Sequence, residues 1–520
     1  MHENRRKLLK SSSGVALATM VSRVLGLLRV VLEAKVLGGG ATATAWQLAF
    51  MAPNMLRRLL GEGALGTALV PLLSHSLTEK GPSETRRQLS VIFGFLGGML
   101  ALLSVIFAGA AVILEPFVQR DYGRQALLLL PLLMPYAFFI CFVGVITSVL
   151  NSIKVFFLPA LGSLLLNIAI IGVLLMAPGF EGGIQAVLEV LSGTVVLAGA
   201  IQFILMLMLL AKYGMFPLMN ISVLKNLKVV KDLWKLTLPG LIGASALQFS
   251  LIADRLIAYF IGPHAVPALT YTDRIVYLPI SVIALALSSV LLANMSQAAA
   301  EKDYKELFAI LRLGIRLVLY LCVPIAVFAV IFREPILKIL YMRGEFDAVA
   351  LRETSLAALY YCSGIPFFAA VKIILPAYYS RKDMKTPLKI SLICIAVNIV
   401  LNLLLMKPLA QGGIALATVI SAILNIVLLL WLLHRDYRQY ELRLKLLGFE
   451  MLRSAVAAGI LTTFLWYIYP MLPQIKMRHV PLDILPLTIS GIIFCFGYLL
   501  LTAVTGSPVP RELIKMFKRS

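Results

Sequence analysis

Charge is scarce in this chain: 14% of its 520 residues are Asp, Glu, Lys or Arg, where a soluble domain carries about 25%, and 60% are hydrophobic. A water-soluble architecture is excluded, because too little polar surface exists to clothe such a core. Cysteine is sparse as well. Cys141, Cys322, Cys362, Cys394 and Cys495 sit singly inside apolar runs, and no two of the five histidines lie three or four residues apart. Neither a disulfide framework nor a metal-ligand cluster is implied. Catalytic signatures are missing: there is no HExxH, no GxSxG, no Walker A loop and no paired aspartate cluster for metal-dependent prenyl or glycosyl transfer. The chain is therefore not read as an enzyme, and any transport must run on gradients or the membrane potential. A period of two, the mark of a membrane β-barrel, is absent. Acid is the scarcer sign, with 25 Asp and Glu against 47 Lys and Arg and a net charge of +22. The basic residues are dispersed between apolar runs instead of forming one stripe, which argues against nucleic acid and for anionic lipid headgroups.

What the sequence does have is long apolar runs. A bilayer core of about 30 Å needs roughly 20 apolar residues per helix. About fourteen such segments lie near 14–37, 42–74, 88–114, 125–150, 156–176, 184–211, 236–261, 266–296, 307–332, 350–379, 386–406, 412–433, 452–472 and 483–505. The fold class is thus all-α integral membrane. The N-terminal MHENRRKLLK is basic like the start of a signal peptide, but arginines interrupt the first apolar stretch and no small-residue cleavage site follows, so the first span is expected to be retained. Clusters such as Lys225, Lys228, Lys231 and Lys235, and Arg435, Arg438, Arg443 and Lys445, fall on one side of the alternating spans. The positive-inside rule then predicts a multi-pass inner-membrane protein with both termini cytoplasmic. One outer segment breaks that rule: Arg333, Lys338, Arg343 and Arg352 surround the run REPILKILYMRGEFD, which reads as a short amphipathic helix on the outer surface.

The chain also repeats itself. MAPGFEGGI (176–184) matches MKPLAQGGI (406–414), and LVPLLSHSLTEK (69–80) matches LLANMSQAAAEK (291–302). The copies start on the same side after six spans, so they are parallel repeats about an axis along the membrane normal. The expected organisation is an N-lobe at 1–215, a basic cytoplasmic linker at 216–235, a C-lobe at 236–435 and two added helices with a basic tail at 436–520. Two such lobes suit a transporter that rocks between inward and outward access.

Charges inside the spans are costly, at about 2.5–3.5 kcal/mol for a central arginine, and mark candidate sites. The first span carries Arg23, Arg29 and Glu33; the second carries Arg57, Arg58 and Glu62 beside Pro53, Gly61 and Gly63. Arg29 and Glu33 share a helix face, while Arg23 is turned away. The seventh and eighth spans carry Asp254–Arg255 and Asp273–Arg274, adjacent pairs whose members point about 100° apart and can serve different partners. Arginine's planar fork suits phosphate oxygens, so an arginine-rich chamber wants a polyanion such as a diphosphate. The bland alternatives are that these groups snorkel from helix ends, that Glu33 reaches the surface beside Lys35, or that the seventh and eighth spans balance each other's charge. Asn398, Asn402 and Thr418 are neutral polar groups in apolar helices, placed to ligate a small cation or to bond helices together.

Taken with these groups, SRVLGLLR before a Gly-rich turn, PNMLRRLLGEGALGTALVP, TDR, YMRGEFD and AYYSRKDMKTPLKI resemble the MurJ/MviN lipid II flippases of the multidrug and polysaccharide exporter superfamily. The resemblance covers the first twelve spans. It implies a flippase for the peptidoglycan precursor lipid II that works by alternating access, acts as a monomer among membrane lipids and the cell-wall synthesis proteins, and binds no nucleic acid. It implies headgroup roles for Ser22, Arg23, Arg29, Arg57, Arg58, Glu62, Asn167 and Arg274, to which the charge pattern adds Glu33 and Asp273. It also implies a polyprenyl groove in the last two helices and a sodium site at Asp254, Asn398, Asn402, the Ile414 carbonyl and Thr418. The sequence departs from the family where Val30 follows Arg29 in place of aspartate, at Thr44, and at Asn402, which is often aspartate. A flippase for another polyprenyl-diphosphate saccharide, or a cation-coupled exporter of the superfamily, is the alternative. Excess arginine argues against the exporter, and connections of about 25 residues at most leave little room for an enzyme on lipid-linked sugars.

Overall fold

The computed structural model describes residues 2–61, 64–217, 227–440, 442–472, 484–507 and 509–510. Among them the chain is helical nearly throughout and no strand occurs. The chain divides into two compact units, Met1–Ile252 and Ala253–Ser520, a division that falls inside a helix beyond the basic connection read from the sequence. Part of that connection, residues 218–226, lies outside the described residues.

In the first unit, α1 (His2–Leu37) packs against α6 (Phe157–Met176), while α5 (Asp121–Ser152) is the hub. Against α5 lie α2 (Ala41–Leu56), α3 (Ala64–Glu79), α4 (Gly81–Leu114) and α7 (Gly183–Lys212). The hub is apolar all round, as a helix surrounded by helices must be. Its Tyr136 stacks on Phe50, and Phe50 on Trp46, at ring separations of 5.8 and 5.7 Å. Between α2 and α3 the backbone widens into a π turn, Arg57–Gly61, which passes so close to α5 that a Cβ on Gly144 would land on the Gly61 carbonyl.

The next helix, α8 (Leu227–Ile261), runs from the first unit into the second. There follow α9 (Ala265–Pro279), a second π turn at Ile280–Ala284, α10 (Leu285–Ala300), α11 (Tyr304–Ile331) and the nine-residue α12 (Arg333–Tyr341). Then come α13 (Ala348–Ser363), α14 (Ile365–Tyr379), α15 (Lys385–Asp436), α16 (Leu444–Ile468) and α17 (Ile484–Val504). Helix α11 packs on α10, α14 and α16; α13 packs on α9, α12 and α15. The added pair α16–α17 is fastened by buried hydroxyls: Tyr320 of α11 lies 2.7 Å from the Thr502 hydroxyl, and the Tyr498 hydroxyl donates to the Tyr320 carbonyl at 3.0 Å.

Eight described helices are long and apolar enough to cross a bilayer, or nine if the bent α13–α14 pair is one span. The 52-residue α15 would reach about 78 Å if straight, more than two bilayer cores. It breaks at Ala410, whose φ of 48° and ψ of −134° lie outside the helical region, so it holds the eleventh and twelfth expected spans. The interrupted α9–α10 pair is one of the eight; α1, α6 and α8 are charged or short, and α2–α3 is interrupted. With these included, each expected segment coincides with a helix, a bent pair or half of α15.

The repeat holds element by element. The series α2, π turn, α3, α4, α5, α6, α7 recurs as α9, π turn, α10, α11, α13–α14 and the two halves of α15, with α12 as an insertion. Even the π turns fall at matching places, residues 57–61 and 280–284. The segment REPILKILY is helical, with Pro335, Leu337 and Tyr341 buried and Glu334 and Lys338 exposed, the amphipathic pattern read from the sequence.

Candidate functional site

In the first unit the structure brings α1 and α6 together around Arg29. Its Nε lies 3.3 Å from Glu33 Oε1, and its Nη1 donates to Asn167 Oδ1 at 3.3 Å. The Asn167 amide in turn reaches the Ser22 carbonyl at 3.5 Å. Glu33 is only 7% exposed while Lys35 is exposed, so the carboxylate turns inward to Arg29 and does not reach the surface beside Lys35. A carboxylate one turn away and a neutral amide thus hold the guanidinium extended, with donors to spare. Arg23 and Arg58 are exposed and Arg57 is half-buried. Arg57 and Arg58 open the π turn, a feature frequent at functional sites because it re-aims side chains without ending the helix. Glu62 and Gly63 lie outside the described residues.

In the second unit the adjacent Asp254 and Arg255 do diverge. Arg255 pairs with Asp273 across α8 and α9, so Asp273 balances charge between those helices; its neighbour Arg274 is exposed. Asp254 instead enters a polar cluster with the two halves of α15. Asn402 Nδ2 donates to Asp254 Oδ1 at 2.6 Å. The Asn398 amide lies beside Asn402, and its satisfied orientation has the nitrogen donating to Asp254 Oδ1 at 3.0 Å and the oxygen accepting from Thr418 N at 3.3 Å. The Thr418 hydroxyl donates to the Ile414 carbonyl at 3.0 Å. All five residues read as a cation site are therefore contiguous. Asn402 is fully buried, and its Oδ1 has no hydrogen-bond partner. An orphaned buried oxygen beside a carboxylate, two further side-chain oxygens and a carbonyl is a donor set that suits a small hard cation. The Asn402 amide nitrogen now faces Asp254, so its rotation by 180° is what would present Oδ1.

Two of the motifs behind the family resemblance prove architectural. In YYSRKDMKTP, Arg381 lies between the rings of Tyr378 and Tyr437, at 5.0 and 4.8 Å from their centroids, and donates to the Ala377 carbonyl at 2.8 Å. Asp383 accepts the Thr386 backbone N–H at 3.0 Å at the start of α15. Partial burial raises the Asp383 pKa, but the bonds from Thr386 and the charge of Arg381 outweigh it and hold the carboxyl below its ordinary value. In YMRGEFD, Phe346 packs on Tyr271 and Tyr341, Gly344 takes a φ of 58°, and Asp347 caps α13 by accepting from Ala350 N at 2.8 Å.

Several contacts had no signal in the sequence. Gln411, beside the break in α15, donates to the Glu353 carboxylate and to its carbonyl at 3.0 Å. The Gly61–Gly144 approach joins residues 83 positions apart that no motif links.

Comparison with known proteins bears on the family and the fold. Residues 33–484 match the model of the lipid II flippase MurJ family. The chain is 33% identical over 476 residues to the Vibrio cholerae protein named probable lipid II flippase MurJ, covering 89% of each. It is 32% identical over 420 residues to lipid II flippase MurJ of Burkholderia cenocepacia, covering 79% of this chain and 81% of that one. Among solved structures, lipid II flippase MurJ in an inward closed conformation superposes with a TM-score of 0.78 at 23% identity, covering 96% of this chain and 99% of that one. An inward-facing multidrug resistance transporter of the MATE family superposes at 0.66 with 15% identity, covering 82% and 98%. These two similarities speak for the fold alone.

Proposed function

This chain belongs to the lipid II flippase MurJ family, and on that premise we propose that it carries lipid II from the cytoplasmic to the periplasmic leaflet of the bacterial inner membrane by alternating access. The observation that carries the reading is the held guanidinium of Arg29, with Arg23 and Arg58 exposed in the same unit. A diphosphate bridging a lipid and a sugar is the anion such forks recognise, because each guanidinium offers paired N–H donors at fixed spacing. Arg57 and Glu62 flank this group in the sequence, and Ser22 and Asn167 position it; Arg274 is a proposed headgroup residue of the second unit. Both termini are placed in the cytoplasm, which puts α12 on the outer surface. The protein works as a monomer beside the cell-wall synthesis proteins, with α16 and α17 accommodating the polyprenyl chain.

Sodium is proposed at Asp254, Asn398, Asn402, Ile414 and Thr418, where it would supply a positive charge whose binding couples transport to the ion gradient. The contiguity of the five residues and the orphaned Asn402 oxygen support it. The test of the main reading is depletion of a bacterium's own lipid II flippase with this chain expressed in its place, together with an assay of lipid II accessible at the outer leaflet. Growth with restored accessibility is expected. Growth failure of a well-expressed protein, or growth without accessible lipid II, overturns the reading.

A further inference from the structure

The positive-inside rule makes basic residues costly on the outer side, yet four of them surround α12. The structure gives them a purpose. Helices α12 and α13 enclose a half-open cavity of about 800 Å³ between them, within the size range of sites for lipid-like molecules. Arg333, Lys338 and Arg352 line it, together with the carboxylates of Glu334 and Glu353.

The two carboxylates are already engaged. Glu334 lies 3.0 Å from Lys338 Nζ, and Glu353 accepts from Gln411. Arg333 uses one nitrogen to bond the Val330 carbonyl at 2.7 Å, which leaves most of its five donors. Arg352 is exposed toward solvent. Three cations against two carboxylates leave one net positive charge in the lining, which favours an anion, and arginine forks favour phosphate. Apart from Ser355 the remaining wall is apolar, with Leu351, Leu356 and Leu359 spaced along α13. A free phosphate has no use for that wall, whereas a phosphate ester bearing acyl chains matches both parts.

We infer that the cavity between α12 and α13 binds an anionic phospholipid of the outer leaflet, its phosphate on Arg333 and Arg352 and an acyl chain against the leucines of α13. Only the choice of leaflet rests on the orientation proposed above. The chemistry of the cavity and the test below do not depend on transport.

The probe is the purified full chain in nanodiscs of phosphatidylcholine doped with phosphatidylglycerol, with retained lipid counted after detergent extraction and melting followed in parallel. Wild type is expected to retain phosphatidylglycerol about fivefold over phosphatidylcholine and to melt higher in its presence. Arg352→Glu changes an exposed side chain, leaves packing intact and should bring retention to parity. Leu359→Trp fills the cavity without touching a charge and should lower retention of both lipids at this site. Inorganic phosphate alone should not shift melting. Unchanged phosphatidylglycerol retention in a folded Arg352→Glu protein overturns the proposal. A phosphate-induced shift equal to that of the lipid, abolished by Arg352→Glu and indifferent to Leu359→Trp, also overturns it, by making the cavity a free-anion site. Should Leu359→Trp fail to fold, Arg352→Glu decides alone.

Discussion

Glu33→Gln separates a working counter-charge from a bystander. The wild-type carboxylate is 7% exposed and 3.3 Å from Arg29 Nε. At an effective dielectric of about 20 that separation corresponds to a gross attraction of roughly 5 kcal/mol. Glutamine keeps the volume and one acceptor oxygen, so part of this returns as an attraction between the guanidinium and the amide dipole. Hydrogen bonds to charged groups contribute about 1.5–3 kcal/mol net, and removing one partner of a buried pair costs about 3–5 kcal/mol. A loss of about 2–4 kcal/mol in holding Arg29 is the consequence. At about 1.4 kcal/mol per tenfold, transport should fall by between one and three orders of magnitude. Glu33→Asp, charged but one methylene short, should lose less. The fold feels the same loss, so melting should fall as well, and transport is compared at equal expression of protein in which Asn167 still engages Arg29. Flippase-depletion growth and the outer-leaflet lipid II assay read the result. Wild-type transport by a well-expressed Glu33→Gln protein would refute the reasoning and leave Arg29 positioned by Asn167 alone. Moving the acid to position 30 is not an equivalent repair, because Val30 is 1% exposed and a carboxylate there would be buried on another face of α1.

Arg58→Ala and Arg274→Ala should each abolish transport with normal folding, because both side chains are exposed, and lysine should rescue poorly for want of a fork; full activity of either alanine variant removes that residue from the site. Asn402→Asp sets a second carboxylate beside Asp254 and should make melting sodium-dependent, rising by about 1.4 kcal/mol per tenfold of sodium above saturation; identical melting in sodium and potassium for both proteins would make the cluster structural. Gly144→Ala should destabilise by roughly 1–3 kcal/mol and impair transport, as α5 and the π turn must separate to admit a methyl; an unchanged melting temperature would mean the approach is slack. Asp383→Asn keeps the acceptor and loses only the charge at the start of α15, and should cost about 0.3–1 kcal/mol near neutral pH. The folded carboxyl titrates below its ordinary value, so its stabilisation is present above the unfolded pKa of about 3.9 and is lost as pH falls through the folded one, and the variant's deficit should vanish there.

The helices were legible because apolar runs of membrane length have few other fates, and the repeat because two peptide segments survived in both halves. The Arg29–Glu33 pair followed from helical periodicity, and the divergence of Asp254 and Arg255 from the turn per residue. Asn167 did not follow from any local pattern. A lone asparagine in an apolar helix gives no sign of which charge it will meet, and only the family resemblance pointed to it. The π turns had no signal: Gly61 marks a weakened helix in one half and ISVIA not even that in the other, since widening a helix by one residue leaves composition unchanged. Gly61 and Gly144 were opaque for a different reason: a close approach belongs to two segments at once, and neither contains the other's position.

The two halves solve one problem with one residue type. Asn167 sits nine residues before Met176 and Asn398 eight before Met406, in the segments whose ends match. In the first unit Asn167 accepts from the cation Arg29 of α1; in the second, Asn398 joins the cluster around the anion Asp254 of α8. An amide can serve both because it carries an acceptor and two donors on one short stem. Aspartate at 167 would compete with a substrate phosphate for Arg29, and leucine would leave the guanidinium without its second partner. The neutral amide pins the first helix of each half to the fifth whichever sign that helix bears. A duplicated scaffold could therefore drift to arginine in one half and to carboxylate in the other without losing the joint, leaving exposed arginines for an anion and an oxygen-lined cluster for a cation on the same framework.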